Sequence, residues 1–486
     1  MKLLTKRGDT LVVIYDPKDE PLEVGEALEI MEPEGKSGVL VQVIDVGPLD
    51  LPGILTHVIR METAGTSAEV YAEREFGEMQ VKIMNMSRAI CKIRKEIRIA
   101  PNGIKKVEDW SGYSPPRESI IRKLSEAKIA ESAIGQVTYK IVIGEDEEGT
   151  DAVISPYYLQ GLNIIVGKKG TGKSHVAKNI LLGLIDNKAQ AVVFDINDEY
   201  SSLRFKPDGS ESDYYDKIVC VSPGENMRFT LDYVGRDVFL KTLEITGLKG
   251  ASLFEMMEMW EELKNARALT LDAIDKKADN IRQASVKYAI KRRIATIKNT
   301  NVITDDQSNA IKIEDVFLNQ LREGGALIVN LKGKNKVAQA ITVQTILSKL
   351  RNLLEEERLQ KGRIFVFAEE AHLYLDVADW LEIVTLMRHL GLWQFYITNT
   401  PSAIPELIVR QTDNLFLFHL DLEEDIKRIA QSRGMDYETA SLMAKSIPPR
   451  TFILIGTATS DYPAKLRTKA LEVKMAGETK VFFKQP

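Results

Sequence analysis

Near-continuous apolar runs recur through the last two thirds of the chain. They are "LNIIVG" (162–167), "AVVFDI" (191–196), "ALIVNL" (326–331), "IFVFA" (364–368), "WQFYIT" (393–398), "LFLFHL" (415–420) and "TFILIG" (451–456). A strand buried on both faces reads as an unbroken apolar run, whereas a half-solvated strand alternates. Helical stretches separate these runs, so the pattern predicts an α/β domain with a parallel or mostly parallel sheet covered on both faces. Residues 233–311 depart from it. "FLKTLEITG", "SLFEMMEMWEELKNARAL" and "IRQASVKYAIKRRIATIKN" carry apolar positions at helical spacing and predict a helical insertion. Residues 1–95 differ again, with short Val/Ile/Leu runs such as "TLVVIYD", "GEALEIMEPEGKSGVLVQVIDVG" and "EMQVKIMNM", broken by Gly, Pro and Asp. Short strands at regular spacing predict a small N-terminal β-barrel. The expected organisation is therefore a barrel (1–95), a charged, proline-containing connector (96–135), an α/β core in two parts (136–232 and 312–486, the second including a C-terminal tail) and the insertion (233–311).

Composition narrows the function classes. The 486 residues are 44% hydrophobic and 28% charged, with a formal net charge of -5. Such a balance argues against a surface coated in positive charge, and leaves room for a local basic channel. Cys91 and Cys220 are the two cysteines and form no CxxC pair, which argues against a structural zinc site or a disulfide framework. The N-terminal stretch lacks the long apolar region of a signal peptide, and no run approaches the ~18 apolar residues of a membrane span, so a cytoplasmic location is expected.

The chemistry begins at "GKKGTGKS". Gly167, Gly172, Lys173 and Ser174 fall in G-x-x-x-x-G-K-S spacing, after an apolar strand and before a helical pattern. Glycines let the backbone fold around phosphates, with its N–H groups and a helix N-terminus facing the anion. Lys173 is expected to reach the β- and γ-phosphates and the Ser174 hydroxyl to bind Mg²⁺. Gly170, Thr171 and His175 complete the expected nucleotide contacts. The strand "IFVFA" ends in two adjacent carboxylates, and a buried unpaired charge is costly. A Mg²⁺–nucleotide site supplies the missing partner. Glu369 would hold the metal's water shell and Glu370 would orient and polarise the attacking water.

Several ordered segments resemble the hexameric DNA translocases of the HerA type, in the FtsK–HerA superfamily. "GKKGTGKS" is similar to their phosphate loop, with Lys169 where Thr is common. "FDINDEY" is similar to their F-D-x-H-G-E-Y segment, keeping Asp195, Glu199 and Tyr200 but carrying Asn197 and Asp198 for His and Gly. "FAEEAHLYL" matches their strand ending in E-E-A-H. "MRHLGLWQFYITNTP" lines up with G-R-K-x-G, a strand and S-Q-R-P, with Asn399 for Gln and Thr400 for Arg. "RQTDNLFLFHL" resembles the Q-x-x-N strand that follows. The resemblance implies a RecA-like P-loop core, an N-terminal barrel like that of ATP synthase subunits, and a homo-oligomeric ring, a hexamer in this family. It implies that Asp195 and Glu199 belong to the nucleotide site, that Asn399 senses the γ-phosphate, and that Arg388 is an arginine finger for the neighbouring subunit. His372 stays unassigned.

It further implies ATP-driven movement along double-stranded DNA, in repair or antiviral defence, with a NurA-like nuclease or another effector docked on the barrel. "LKGKNK" places Lys332, Lys334 and Lys336 in a loop at a strand end, where a ring would stack them around its pore as phosphate contacts. A second basic run, with Lys287, Lys291, Arg292 and Arg293, reads as an exposed helix face. Two other readings stand beside the motor. One is another polymer-pumping member of the superfamily. The other is a ring that organises an effector and uses nucleotide as a structural switch.

Overall fold

The computed structural model describes residues 1–49, 85–100, 105–125, 127–128, 138–360, 362–375, 383–385, 388–432 and 437–476. In chain order the strands are β1 (Lys2–Arg7), β2 (Thr10–Tyr15), β3 (Ala27–Met31), β4 (Ser37–Pro48), β5 (Ser87–Ile99), β6 (Lys105–Asp109), β7 (Ile120–Leu124), β8 (Ile141–Glu145), β9 (Asp151–Ile154), β10 (Leu162–Val166), β11 (Gln190–Asp195), β12 (Ile218–Val221), β13 (Gly325–Asn330), β14 (Ile364–Glu369), β15 (Leu392–Thr398), β16 (Asn414–Leu417), β17 (Thr451–Gly456) and β18 (Ala464–Arg467). The chain forms two compact units. One comprises Thr138–Val142, Ser155–Asn414 and Lys469–Pro486; the other comprises Met1–Val137, Ile143–Ile154 and Leu415–Thr468.

In the first unit, six strands lie in the order β12-β13-β11-β14-β15-β10. Every pairing among them is parallel. The apolar runs explain this: every residue of β10, β11 and β14 is buried, as a sheet covered on both faces requires. Because the strands run one way, their C-terminal ends share one edge. Val166 is paired with Thr398, Glu369 with Ile397 and Asp195 with Asn330. Residues far apart in sequence and rich in polar chemistry thus meet along that edge, which is where open α/β sheets bind ligands.

Residues 233–311 carry the helices Arg236–Ile245, Ala251–Asn265, Leu271–Ala278 and Ala284–Lys298. They have a core of their own, with Phe239 against Trp260 at 5.2 Å between ring centroids and Ile274, Ile290 and Ile294 fully buried.

The second unit is mostly antiparallel. Its N-terminal sheet runs β1-β2-β5-β4-β3-β7, with β6 added to β5. Leu11, Val13, Leu28, Ile30, Val39, Val41, Ala89 and Cys91 fill its core. Among the described residues its edge strands β1 and β7 are not hydrogen-bonded to each other, and the closure that the expected barrel needs is not seen there. The expected strand "EMQVKIMNM" falls mostly outside the described residues.

Residues 96–135 were expected to be a connector. Instead β5 runs on to Ile99, β6 pairs with β5, and β7 pairs with β3 from Ala27↔Leu124 to Met31↔Ile120. Their sequences, "KKVED" and "IIRKL", lack apolar alternation because most of their side chains are exposed. Charged residues on an edge strand are a common defence against further pairing.

The C-terminal stretch also departs from expectation. Leu415–Thr468 falls in the same compact unit as the N-terminal strands. The Tyr462 hydroxyl donates to the Val41 carbonyl at 3.1 Å, Gln42 Nε2 donates to Pro463 O at 3.0 Å, and Lys465 meets Glu23 and Glu147 at 2.7 and 2.8 Å. β18 pairs antiparallel with β17 and with β8.

Candidate active site

The phosphate loop leaves β10 and ends where the helix Lys173–Asp186 begins. Gly170 (φ 82°) and Gly172 (φ 118°) hold left-handed backbone there, which a side chain would strain. Thr171 Oγ1 donates to the Lys168 carbonyl at 2.7 Å. Lys173 Nζ donates to the same carbonyl at 2.9 Å and to Asn399 Oδ1 at 2.5 Å. Asn399 therefore reaches the phosphate-loop lysine despite its short arm. Burial pushes the Lys173 ammonium down to about 8, against the pull of Glu370, Glu369 and Glu199. A polyphosphate placed there restores the charge by giving the ammonium a partner.

The two carboxylates at the end of β14 play different parts. Glu370 sits in left-handed backbone, φ 46° and ψ 45°. Such strain in a non-glycine residue persists only when its surroundings hold it. Here the Glu370 N–H donates to the Ile397 carbonyl at 2.8 Å, the Thr398 hydroxyl donates to its Oε2 at 2.7 Å, and the Asn399 N–H donates to its Oε1 at 3.1 Å. The carboxylate is pinned to the end of β15, next to the strand that leads into the phosphate loop. His372 Nδ1 lies 3.6 Å from Glu370 Oε2.

Glu369 points into the protein and is 2% exposed. Burial, reinforced by the charges of Asp195 and Glu199, pushes its carboxyl up to about 8. Its Oε2 accepts from Asn197 Nδ2 at 3.5 Å, and its Oε1 is buried with no hydrogen-bond partner among the described residues.

Asp195 and Glu199 were expected to belong to the nucleotide site. Asp195 is fully buried, and its carboxylate accepts the N–H groups of Asn197, Glu199 and Tyr200 at 3.2, 2.8 and 2.9 Å. It shapes the loop after β11 and has little left to offer a ligand. Glu199 faces Lys178 at 3.5 Å. The His175 ring is likewise engaged: its Nε2 lies 2.5 Å from the Lys469 carbonyl.

Sequence reasoning missed Lys178. It lies on the helix after the phosphate loop and is 1% exposed. Its ammonium donates to the Ala476 carbonyl at 3.0 Å and lies 5.4 Å from the centroid of the Tyr200 ring. It faces the partly buried Glu199 at 3.5 Å and acts on the buried Glu369, so it is their counter-charge. A lone lysine in the apolar run "HVAKNILLGL" was the available signal. Lys178→Met leaves these acids uncompensated, and breaking a buried pair costs about 3–5 kcal/mol. A clear drop in urea midpoint at pH 7 is expected. An unchanged midpoint would mean that the acids find another partner.

Arg388 is elsewhere. It precedes β15, and its guanidinium donates to Asp413 Oδ1 at 3.3 Å. Asp413 Oδ2 accepts the N–H of Leu162, the first residue of β10, at 2.8 Å. Arg388 is thus at the edge where β10 starts, while the phosphate loop leaves its other end. Five strand residues at about 3.3 Å each put roughly 16 Å between them. Within one chain the two do not meet.

Of the loop lysines, Lys332 and Lys336 are exposed, whereas Lys334 is tied to Glu225 at 2.6 Å. This pair holds the Glu225 carboxyl below its usual range. On the insertion, Lys287 and Lys291 both pair with Asp279, at 3.1 and 2.8 Å.

A buried parallel sheet, a phosphate loop between strand and helix, and paired acids at the end of β14, with β15 between it and β10, define a P-loop ATPase. Residues 148–350 match the family model described as Helicase HerA, central domain. No curated protein matches it. Among solved structures, it is similar to VirB4 of Thermoanaerobacter pseudethanolicus, with 14% identity and a TM-score of 0.51 over 69% of this chain and 98% of that one. It is also similar to the plasmid coupling protein TrwB in complex with a non-hydrolysable GTP analogue, with 13% identity and a TM-score of 0.52 over 74% and 95%. The bacterial conjugative coupling protein TrwBdeltaN70, in complex with sulphate, gives 13% identity and a TM-score of 0.53 over 73% and 94%. At these identities the likeness establishes the fold. Among the described residues no helix is long and apolar enough to cross a membrane.

Proposed function

We propose that this chain forms a ring, hydrolyses ATP at sites shared between subunits and moves along double-stranded DNA. The observation that carries the reading is the split between the two edges of the sheet. Lys173, Glu369, Glu370 and Asn399 gather at one edge, while Arg388 stands at the other. A chain that holds both halves of a hydrolytic site, too far apart to meet, is completed by a second copy. A hexamer is the ring size that the family resemblance supports.

In the proposed site, Lys173 and the loop N–H groups bind the phosphates. Glu370, pinned by Thr398 and the Asn399 N–H, orients a water and accepts its proton. Asn399, hydrogen-bonded to Lys173, is placed to respond when a γ-phosphate displaces that contact. Ser174 and Glu369 would hold a hydrated Mg²⁺. The unpartnered Glu369 Oε1 fits a metal-bound water, and a cation beside this crowded acid favours its ionised form. Bound there, the metal would offset charge on the β- and γ-phosphate oxygens. The Arg388 guanidinium of a neighbour would do the same for charge that develops as the bond breaks.

Lys332 and Lys336 are the proposed DNA contacts. They are exposed at the C-terminal edge of the sheet, and contacts of this kind go to phosphates without reading sequence. Replacing both with Ala is expected to weaken duplex binding equally on unrelated sequences. The salt slope should fall by about 0.9 for each DNA phosphate that is no longer neutralised. Fluorescence anisotropy at several salt concentrations reads both effects. Unaltered affinity and slope would move the DNA site elsewhere. The function itself is tested by ATP hydrolysis with and without duplex DNA. Stimulation supports a motor, and an indifferent rate supports the nucleotide-switched platform. An effector, such as a NurA-like nuclease, would dock on the N-terminal sheet.

The likeness to TrwB and VirB4 favours one second reading. The same hydrolytic ring could pump another polymer, and an ATPase stimulated by single strands or by protein, but not by duplex, would point to it.

A further inference from the structure

The Arg388–Asp413 contact carries more than the position of a guanidinium. Asp413 is held on both sides. Its Oδ2 accepts the Leu162 N–H at 2.8 Å, and its own N–H donates to the Leu162 carbonyl at 2.8 Å. Gly161 lies against it so closely that a Cβ there would collide with the carboxylate. One oxygen is therefore fixed to the first residue of the phosphate-loop strand, and the other, Oδ1, faces Arg388 at 3.3 Å. Arg388 sits at a tight turn, where the Gly391 N–H donates to its carbonyl at 3.1 Å, and its side chain is 46% exposed. A free arginine of that exposure samples many rotamers. One anchored through a single nitrogen keeps its remaining donors for a phosphate while losing much of that freedom.

We propose that Asp413 is the positioning residue for Arg388. It presents the guanidinium toward the nucleotide site of the adjacent subunit, from a carboxylate anchored to the strand that leads into the subunit's own phosphate loop. The inference rests on the reading of Arg388 as a finger acting in trans. It adds a mechanical link. A shift of β10 when this subunit binds or releases nucleotide moves Asp413, and with it the finger offered to the neighbour.

The test uses the assembled protein. Asp413→Asn keeps the shape and an acceptor for Leu162 but removes the charge that holds Arg388. A half-exposed ion pair corresponds to an expected kcat loss of about two- to fivefold, with the affinity for a fluorescent ATP analogue unchanged. In the Arg388→Ala background the same substitution should add no loss to the residual rate. A merely structural Asp413 would cost the same in both backgrounds, and that result overturns the proposal.

Placement gives a second readout. When Arg388→Ala and Lys173→Ala subunits are mixed, restored turnover comes from the phosphate site of the first and the finger of the second. Asp413→Asn should lower the restored rate when carried by the Lys173→Ala subunit and leave it unchanged when carried by the Arg388→Ala subunit. The reverse pattern overturns the proposal and assigns Asp413 to its own phosphate loop. Full turnover of Arg388→Ala alone would instead remove the finger reading, and this inference with it.

Discussion

Glu370→Gln is expected to bind ATP about as well as the wild type while hydrolysing it some 10²–10⁴ times more slowly. The substitution keeps the size of the side chain and most of its hydrogen bonding. Its amide can still accept from Thr398 or the Asn399 N–H, so the strained backbone at φ 46° keeps its support. What disappears is the negative charge that accepts a proton from the attacking water. Lys173 and the loop N–H groups, which hold the phosphates, are untouched. Titration with a fluorescent ATP analogue and steady-state phosphate release separate the two effects. Turnover near the wild-type rate would assign the base elsewhere, with His372 the nearest alternative at 3.6 Å.

Arg388→Ala has the other large expected effect. A guanidinium that offsets charge on the γ-phosphate as the bond breaks is worth about 10³–10⁵ in rate, or about 4–7 kcal/mol of barrier. Its removal should abolish nearly all turnover and leave nucleotide affinity nearly intact, because its own chain's phosphate loop is at the far end of β10. Mixing it with Lys173→Ala is the sharper experiment. Where an Arg388→Ala phosphate site meets a Lys173→Ala finger, one complete site re-forms, and partial ATPase should return in mixed rings verified by native mass spectrometry. Silent mixed rings would mean either strict coordination around the ring or a finger acting in cis. The distance within one chain speaks against the second.

The phosphate loop was legible because its chemistry is local: glycines, a lysine and a serine within eight positions, between a strand and a helix. The paired acids were legible for the same reason, since two carboxylates ending an apolar run demand a partner. Long-range features were not. Asp413 acquires its part from Leu162, 251 positions away, through a register that no local pattern encodes. The part of Lys178 depends on acids from two other strands and on the Ala476 carbonyl, 298 positions away. The resemblance assigned Asp195 to the nucleotide site. Its sequence does not reveal that three of its own loop's N–H groups consume the carboxylate. The edge strands β6 and β7 were read as a connector because exposure removes the apolar alternation that marks a strand.

The most direct test of a hydrolytic ring that moves along duplex DNA is the displacement of a third strand bound to a duplex, a step that demands directed motion and not binding alone. The wild-type protein should release the third strand in the presence of ATP and Mg²⁺, and Glu370→Gln should bind the same DNA without releasing it. ATP hydrolysis that neither responds to duplex DNA nor displaces the third strand would contradict the motor and leave a nucleotide-switched platform in its place.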